Sequence, residues 1–220
     1  MSWALRLFHD KLPGGVTVAA RLPVANRVIY AAAGTAEIAG RDLIEDEAWY
    51  GVGAVGSVIA GSRGATLWRW ELARTEAKAA AVEAPGVTSI LQLAAPIDTL
   101  DPGDGRQWLM RCDSVAFPPG GCAYTHVHQG PGIRCLRDGR IRIDCDGHSA
   151  RYEPGGAWFE AGPEPVFAQA DADMPTRFVR VMILPRAHKG KSSIRYVNDE
   201  DKDKPKTQQY RGYVDEFIAL

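Results

Sequence analysis

The sequence lacks the features that mark several common classes of protein. No window approaches the roughly 18 consecutive apolar residues that a membrane-spanning helix needs. Lys and Arg number 26 against 27 Asp and Glu, so the net charge of −1 attracts neither nucleic acid nor an anionic membrane. The N-terminal residues show no signal-peptide pattern. These absences predict a cytoplasmic protein without a nucleic-acid or membrane partner.

Cysteine is scarce, and the common catalytic motifs are missing. The four cysteines, Cys112, Cys122, Cys135 and Cys145, form no CxxC pair, so we expect free thiols in or beside strands. The sequence contains no glycine-rich phosphate loop, no GxSxG elbow and no HExxH motif. These absences argue against a nucleotide-binding fold, a serine hydrolase of the elbow type and a zincin protease.

Glycine and proline are plentiful, at 23 and 14 residues, and they separate short runs of alternating apolar and polar residues. This pattern predicts an all-β chain. Two segments differ from it. The Ala-, Glu- and Lys-rich stretch 74–84 predicts a short helix or a connector. At the end of the chain, Tyr210, Tyr213, Val214, Phe217 and Ile218 follow a helical spacing and predict a short amphipathic helix.

Weak repeats connect the two halves of the chain. LPGG at 12–15 matches PPGG at 118–121, EAWY at 47–50 matches GAWF at 156–159, and TLWRWEL at 66–72 matches RFVRVMI at 177–183. The matches keep their order at offsets of somewhat over one hundred residues. A duplicated β-domain explains them, with boundaries at 1–100 and 101–197, followed by a charged loop and the C-terminal segment at 198–220.

Two histidines one residue apart are the strongest functional signal. In GCAYTHVH, the period-two rule puts Cys122, Tyr124, His126 and His128 on one face of a strand. Two imidazoles on one face can converge on a divalent metal ion. Tyr124, on the same face, is a candidate proton donor.

The segment around this pair resembles the first signature of the cupin superfamily. Gly120, five residues, His126, Val127, His128 and a closing Gly139 carry the resemblance, and 154–170 resembles the proline/glycine turn and strand of the second signature. The resemblance covers most of the second half and reaches the first half only through the repeat. It implies two antiparallel jelly-roll barrels, the first without recognisable ligands, since its histidine positions align with Ala20 and Leu22.

The sequence departs from the family pattern at two of the four usual ligands. The family glutamate falls on Gly132 or Ile133, and the second-signature histidine falls near Pro165. Glu160 and Glu164 lie where the family supplies its last ligand. Either carboxylate would complete a site with two histidines for Fe, Mn, Ni or Zn.

The resemblance implies chemistry on a small molecule inside the second barrel. We expect a metal-dependent enzyme of the dioxygenase type, acting on a small carboxylated or aromatic compound, with His126 and Tyr124 as catalytic residues. Two alternatives stay open: a non-catalytic module that binds a small molecule, and a metal-free epimerase-like or isomerase-like enzyme that uses a histidine general base. Exposed strand edges and the apolar C-terminal segment further predict a homodimer.

Overall fold

The computed structural model describes residues 2–100 and 107–220. The chain forms two compact units, Met1–Pro102 and Gly103–Leu220, called here the first and the second unit. The described residues form antiparallel strands and turns, with short 3-10 helices at Arg186–His188 and Asp199–Asp201. The all-β prediction is therefore confirmed. No helix in these ranges has the length and apolar character required to span a bilayer.

The described residues of the first unit form seven strands. They are β1 Trp3–Leu12, β2 Thr17–Val18, β3 Asn26–Ile38, β4 Arg41–Leu43, β5 Ala48–Gly51, β6 Val58–Arg74 and β7 Thr88–Pro96. The main sheet has the order β4-β3-β6-β1-β7, while β2 pairs with β6 and β5 pairs with β3.

The two longest strands of the first unit bend where their backbones touch. Gly34 in β3 and Gly64 in β6 both have positive φ, at 73° and 83°. A Cβ atom on Gly34 would lie 2.1 Å from the carbonyl oxygen of Gly64, so only glycine permits this approach. Beyond the bend, the strands enclose an apolar core that includes Ala20 and Leu22. The positions equivalent to the histidine pair are thus buried and apolar in this unit.

The segment 74–84 forms no helix, which corrects one of its two predicted conformations. β6 ends at Arg74, and the chain then continues without regular structure. Buried arginines hold this segment: Arg6 Nη2 donates to the carbonyl of Ala77 at 2.6 Å, and Arg69 Nη2 donates to that of Ala80 at 3.0 Å. Carbonyls bound by these side chains are not available for helical hydrogen bonds, so tertiary contacts override the helix propensity of alanine.

Ten strands lie in the part of the second unit that the structure describes, residues 107–220. They are β8 Trp108–Phe117, β9 Cys122–His128, β10 Gly132–Asp138, β11 Ile141–Cys145, β12 His148–Tyr152, β13 Ala157–Glu160, β14 Val166–Ala170, β15 Thr176–Pro185, β16 Ile194–Tyr196 and β17 Gln209–Ile218. They form two five-stranded sheets, ordered β13-β10-β15-β8-β17 and β12-β11-β14-β9-β16.

Side chains from both sheets of the second unit meet in one apolar core. Phe117, Leu136, Trp158 and Phe178 come from one sheet, and Ile143 and other small or branched residues come from the other. Trp158 meets Phe178 edge-on, with ring centroids 5.3 Å apart. Apolar side chains thus fill one part of the space between the two sheets, and polar side chains fill the other part.

The C-terminal segment is a strand, so the prediction of a helix there was wrong. β17 pairs with β8 along its length, from Gln209 opposite Ala116 to Ile218 opposite Trp108. A bulge between Gly212 and Val214 shifts the strand register, and the resulting apolar spacing resembles that of a helix. β8 would otherwise present unpaired backbone groups, and β17 satisfies them.

The two units arrange equivalent strands in the same way. The order β3-β6-β1-β7 in the first unit parallels β10-β15-β8-β17 in the second. Arg69 in β6 and Arg180 in β15, which the repeat TLWRWEL/RFVRVMI aligns, are both buried and ion-paired. A duplicated β-domain, which stays a prediction, would have this common strand order.

Hydrogen exchange tests the assignment of β17. We expect the amides of Gln209–Ile218 that face β8 to exchange slowly, because they are hydrogen-bonded in a sheet. The segment 202–206, which has no regular strand or helix, should exchange fast in the same experiment. Equally fast exchange along all of Gln209–Ile218 would contradict the pairing.

Candidate functional site

A bulge in β9 places the histidine pair inside the second unit. His126 lies opposite Val166 in β14, but Ala123 lies opposite Ala168, so one extra residue separates the two pairings. Ala123, His126 and His128 consequently all face the interior, and both histidines are buried. The predicted convergence of the two imidazoles is observed: their Nε2 atoms lie 3.2 Å apart.

The same bulge turns Tyr124 away from the interior. Its ring lies 5.2 Å from Lys204 Nζ and 5.5 Å from Lys206 Nζ. The strict alternation that predicted a shared face for Tyr124 and the histidines is therefore wrong. Tyr124 contributes its backbone to the site instead, because its carbonyl oxygen lies 2.7 Å from Nδ1 of His126.

Glu160, but not Glu164, joins the histidines. Glu160 ends β13 directly opposite Gly132 in β10, and its Oε2 lies 2.7 Å from His128 Nε2. Its carboxylate thus lies beside Gly132, one of the two positions, with Ile133, on which the family glutamate is predicted to fall. Glu164 lies on an exposed turn and does not line the interior cavity.

Two arginines that carry the charge of this site come from neighbouring strands. Arg134 Nη2 lies 2.8 Å from Glu160 Oε2, and Arg180 Nε donates to Asp113 Oδ1 at 2.6 Å. Trp158 Nε1 donates to the second oxygen of Glu160 at 2.7 Å. Two cations and two carboxylates therefore compensate each other in one buried layer, called here the polar layer. It consists of Asp113, His126, His128, Arg134, Glu160 and Arg180.

Arg134 is bound to a carboxylate of the protein itself, that of Glu160. Arg180 and Asp113 were not predicted at all. Arg180 did carry a signal, since the repeat aligns it with Arg69 inside an otherwise apolar strand. A charged residue on the inward face of a core strand indicates a buried ion pair.

Both histidines of the polar layer are neutral at pH 7. Burial lowers the pKa of His128 to about 3, with a further contribution from Arg134. Burial also lowers the pKa of His126. For Glu160, burial opposes ionisation, but Arg134 and His128 more than offset it and hold the pKa of the carboxyl below its usual range.

The hydrogen-bond partners determine which ring nitrogens carry the protons. A carbonyl oxygen only accepts, so the neutral His126 carries its proton on Nδ1 and leaves Nε2 bare. The unprotonated Nε2 of His126 then accepts a hydrogen bond from Nε2 of His128 at 3.2 Å, so His128 carries its proton on Nε2, which lies 2.7 Å from the carboxylate of Glu160. Nε2 of His126 thus carries no proton, contacts His128 and is a potential proton acceptor inside the unit.

This arrangement does not fit the metal centre predicted from sequence. In the described ranges, no group of three or more His, Cys, Asp or Glu residues is arranged to hold a metal ion. Glu160 is already neutralised by the guanidinium of Arg134. Metal binding through Nε2 of His128 would move its proton to Nδ1, which is buried and has no hydrogen-bond acceptor among the described residues.

Two cavities adjoin the polar layer. The interior cavity, which His126, His128 and Glu160 line, has a volume of only about 20 Å³. A larger side pocket of about 670 Å³ opens between β8, β15 and β17 on one side and β16 with residues 190–193 on the other. Arg180 and Tyr210 line both cavities. The interior has room for about one water molecule, whereas the side pocket has the size of a small-molecule site.

No protein-family model matches the sequence, and no curated protein matches it. Solved structures do match. The chain has a cupin-type fold. A variant of oxalate decarboxylase from Bacillus subtilis superposes with a TM-score of 0.63 at 14% identity, over 91% of this chain and 73% of that chain. Salicylate 1,2-dioxygenase from Pseudoaminobacter salicylatoxidans gives 0.54 at 12%, over 81% and 68%. AerE from Microcystis aeruginosa gives 0.56 at 11%, over 80% and 87%. At these identities the likeness shows the fold alone.

Gly132→Ala tests the close packing that excludes a side chain at the family glutamate position. An added Cβ would lie 2.5 Å from the carbonyl oxygen of Val181 and 2.8 Å from Met182 Cγ. We expect a loss of about 1–3 kcal/mol in the free energy of unfolding, measured with urea. Gly212→Ala is the matched control, because its Cβ would meet no atom within 4 Å. Equal stability of the two variants would contradict this packing.

Acid should destabilise the protein through His128. The unfolded chain binds a proton on this residue near pH 6.5, while the folded protein binds it only near pH 3. The contribution of His128 to the free energy of unfolding is therefore fully present above pH 6.5. It falls as the pH drops toward 3, at up to about 1.4 kcal/mol per pH unit. Urea unfolding at pH 7 to 5 measures this slope, which His128→Gln should reduce. A slope unchanged by that substitution would contradict the buried neutral state.

Proposed function

We propose that the second unit is a metal-free acid–base site in which His126 acts as general base on a small organic compound. The observation that carries the proposal is the bare, inward-facing Nε2 of a neutral imidazole, fixed by the bond from Nδ1 to the carbonyl of Tyr124. Such a nitrogen accepts a proton without first losing one.

The polar layer supports this chemistry electrostatically. When His126 takes a proton from a carbon atom beside a carbonyl group, the C–H electron pair moves onto the carbonyl oxygen as an enolate. Burial lowers the pKa of His126, and the carboxylate of Glu160 partly offsets this effect and so stabilises the imidazolium that forms. Return of the proton to another carbon atom, or to the other face, completes an isomerisation.

The size of the interior restricts how a substrate binds. Because about 20 Å³ is free beside the histidines, only the reacting group of a compound enters there. The remainder occupies the side pocket, which shares Arg180 and Tyr210 with the interior. This geometry favours a small molecule over a polymer.

A non-catalytic binding module is the second candidate. It is favoured by the small interior volume and by the ion pairs Arg134–Glu160 and Arg180–Asp113, which leave both carboxylates of the polar layer compensated. The metal-dependent dioxygenase predicted from sequence is the third reading. It requires as metal ligands two side chains that already contact each other, Glu160 and His128, and Glu160 is also paired with Arg134.

Deuterium exchange, together with elemental analysis, distinguishes the three candidate functions: general-base enzyme, binding module and metal-dependent dioxygenase. Protein purified without an affinity tag and dialysed against EDTA is incubated in D2O with pyruvate, phenylpyruvate and other small carbonyl acids, and loss of the C–H signal beside the carbonyl is followed by NMR. We expect catalysed exchange that His126→Ala slows by about 10²–10⁴-fold, the usual contribution of a general base. Tyr124→Phe should leave the rate unchanged, since that ring lies outside the interior.

Elemental analysis of the same protein before dialysis completes the test. Exchange that persists without metal supports the proposal. Stoichiometric metal that disappears in His126→Ala, together with activity only in the metal-loaded protein, would overturn it in favour of the dioxygenase. Saturable binding of one of these carbonyl acids, with no catalysed deuterium exchange in any of them, would overturn the proposal in favour of the binding module.

A further inference from the structure

The side pocket is lined by donor groups that have no hydrogen-bond acceptor among the described residues. Arg180 is buried, and its Nε and Nη2 both donate to Asp113, at 2.6 and 3.2 Å. Its Nη1 has no acceptor within the described part of the chain. Ser193 is only 4% exposed, and its hydroxyl is likewise without a partner among these residues. Both residues line the pocket. Buried donors of this kind usually meet a ligand or water.

The charge of the pocket favours an anion. Four cationic side chains line it (Arg111, Arg180, Lys191 and Lys206), against two carboxylates, Asp113 and Asp215. Both carboxylates are already held by arginines, at 2.6 and 3.0 Å. The pocket therefore has an excess of two positive charges, and a guanidinium with a free edge binds a carboxylate well.

Aromatic rings form the rest of the wall. Tyr196, Tyr210 and Tyr213 line the pocket, and the guanidinium of Arg180 lies 5.7 Å from the ring centre of Tyr210. Tyr210 is half exposed, so its ring is available to a ligand. Tyrosine rings bind flat aromatic groups through offset or edge-on contacts. The volume of about 670 Å³ is ample for a ring system with one acidic group.

We propose that the side pocket binds an aromatic carboxylate, with its carboxylate on Arg180 and Ser193 and its ring against Tyr210. This inference rests on the proposed function in one respect: the ligand of the side pocket is taken to be the substrate on which His126 acts. The pocket adjoins the polar layer, because His126 and Tyr196 have ring centroids 6.5 Å apart and Arg180 lines both cavities. A ligand anchored there points toward the bare nitrogen of His126.

Calorimetry with 2-naphthoate and its neutral analogue 2-naphthamide tests the ligand class. We expect the acid to bind at least about tenfold more tightly, since only the acid offers a charged acceptor. Ser193→Ala should weaken naphthoate binding about tenfold and leave naphthamide binding little changed. Ser149→Ala, on the exposed strand β12, is the matched control and should bind like the unmodified protein.

Tyr210 provides the test of the aromatic contact. Tyr210→Ala should weaken naphthoate binding about three- to tenfold, whereas Tyr210→Phe, which keeps the ring, should retain it. Substitution of Arg180 is avoided, because it would leave Asp113 buried without its partner. Equal affinity for acid and amide, or no effect of Ser193→Ala, would overturn the inference.

The two proposals fail separately. His126→Ala should bind naphthoate normally while losing deuterium exchange, because His126 lines the interior cavity and not the side pocket. Exchange without naphthoate binding would overturn the pocket inference and leave the general base intact. Naphthoate binding with the expected variant pattern, but without exchange, would overturn the general base and leave the pocket.

Discussion

The second unit depends on the compensation of charge inside a closed sheet structure. Removal of Glu160 from water costs several kcal/mol, and the buried Arg134 at 2.8 Å and Trp158 at 2.7 Å offset that cost. His128 stays neutral because burial, and after it the guanidinium of Arg134, disfavour a further positive charge. The carbonyl of Tyr124 fixes the proton of His126 on Nδ1, which leaves Nε2 of His126 without a proton beside this charged pair.

Backbone geometry brings these side chains together. Gly132 packs against β15 with no room for a Cβ atom, and Glu160, directly opposite it in β13, contacts His128. The bulge in β9 then selects which residues face inward. A small residue in one strand and an extra residue in another therefore replace the ligand pattern expected of the fold with an ion-paired layer.

Much of the fold follows from sequence patterns, while the site follows from them only in part. Turn residues and alternation predict the strands, and the spacing of His126 and His128 predicts their convergence. The position of Tyr124 could not be predicted, because a bulge arises from the pairing of two strands. The alternation of residues within one strand's sequence does not reveal it. β17 was missed for a related reason: its pairing with β8 comes from residues about one hundred positions away.

The protonation state of the histidine pair in the metal-stripped protein tests this account most directly. Nitrogen-15 NMR of the imidazole rings at pH 7, assigned with single histidine variants, reports the proton on each nitrogen. We expect a neutral His126 with its proton on Nδ1 and none on Nε2, and a neutral His128 with its proton on Nε2. An imidazolium at either position, or a proton on Nε2 of His126, would contradict it.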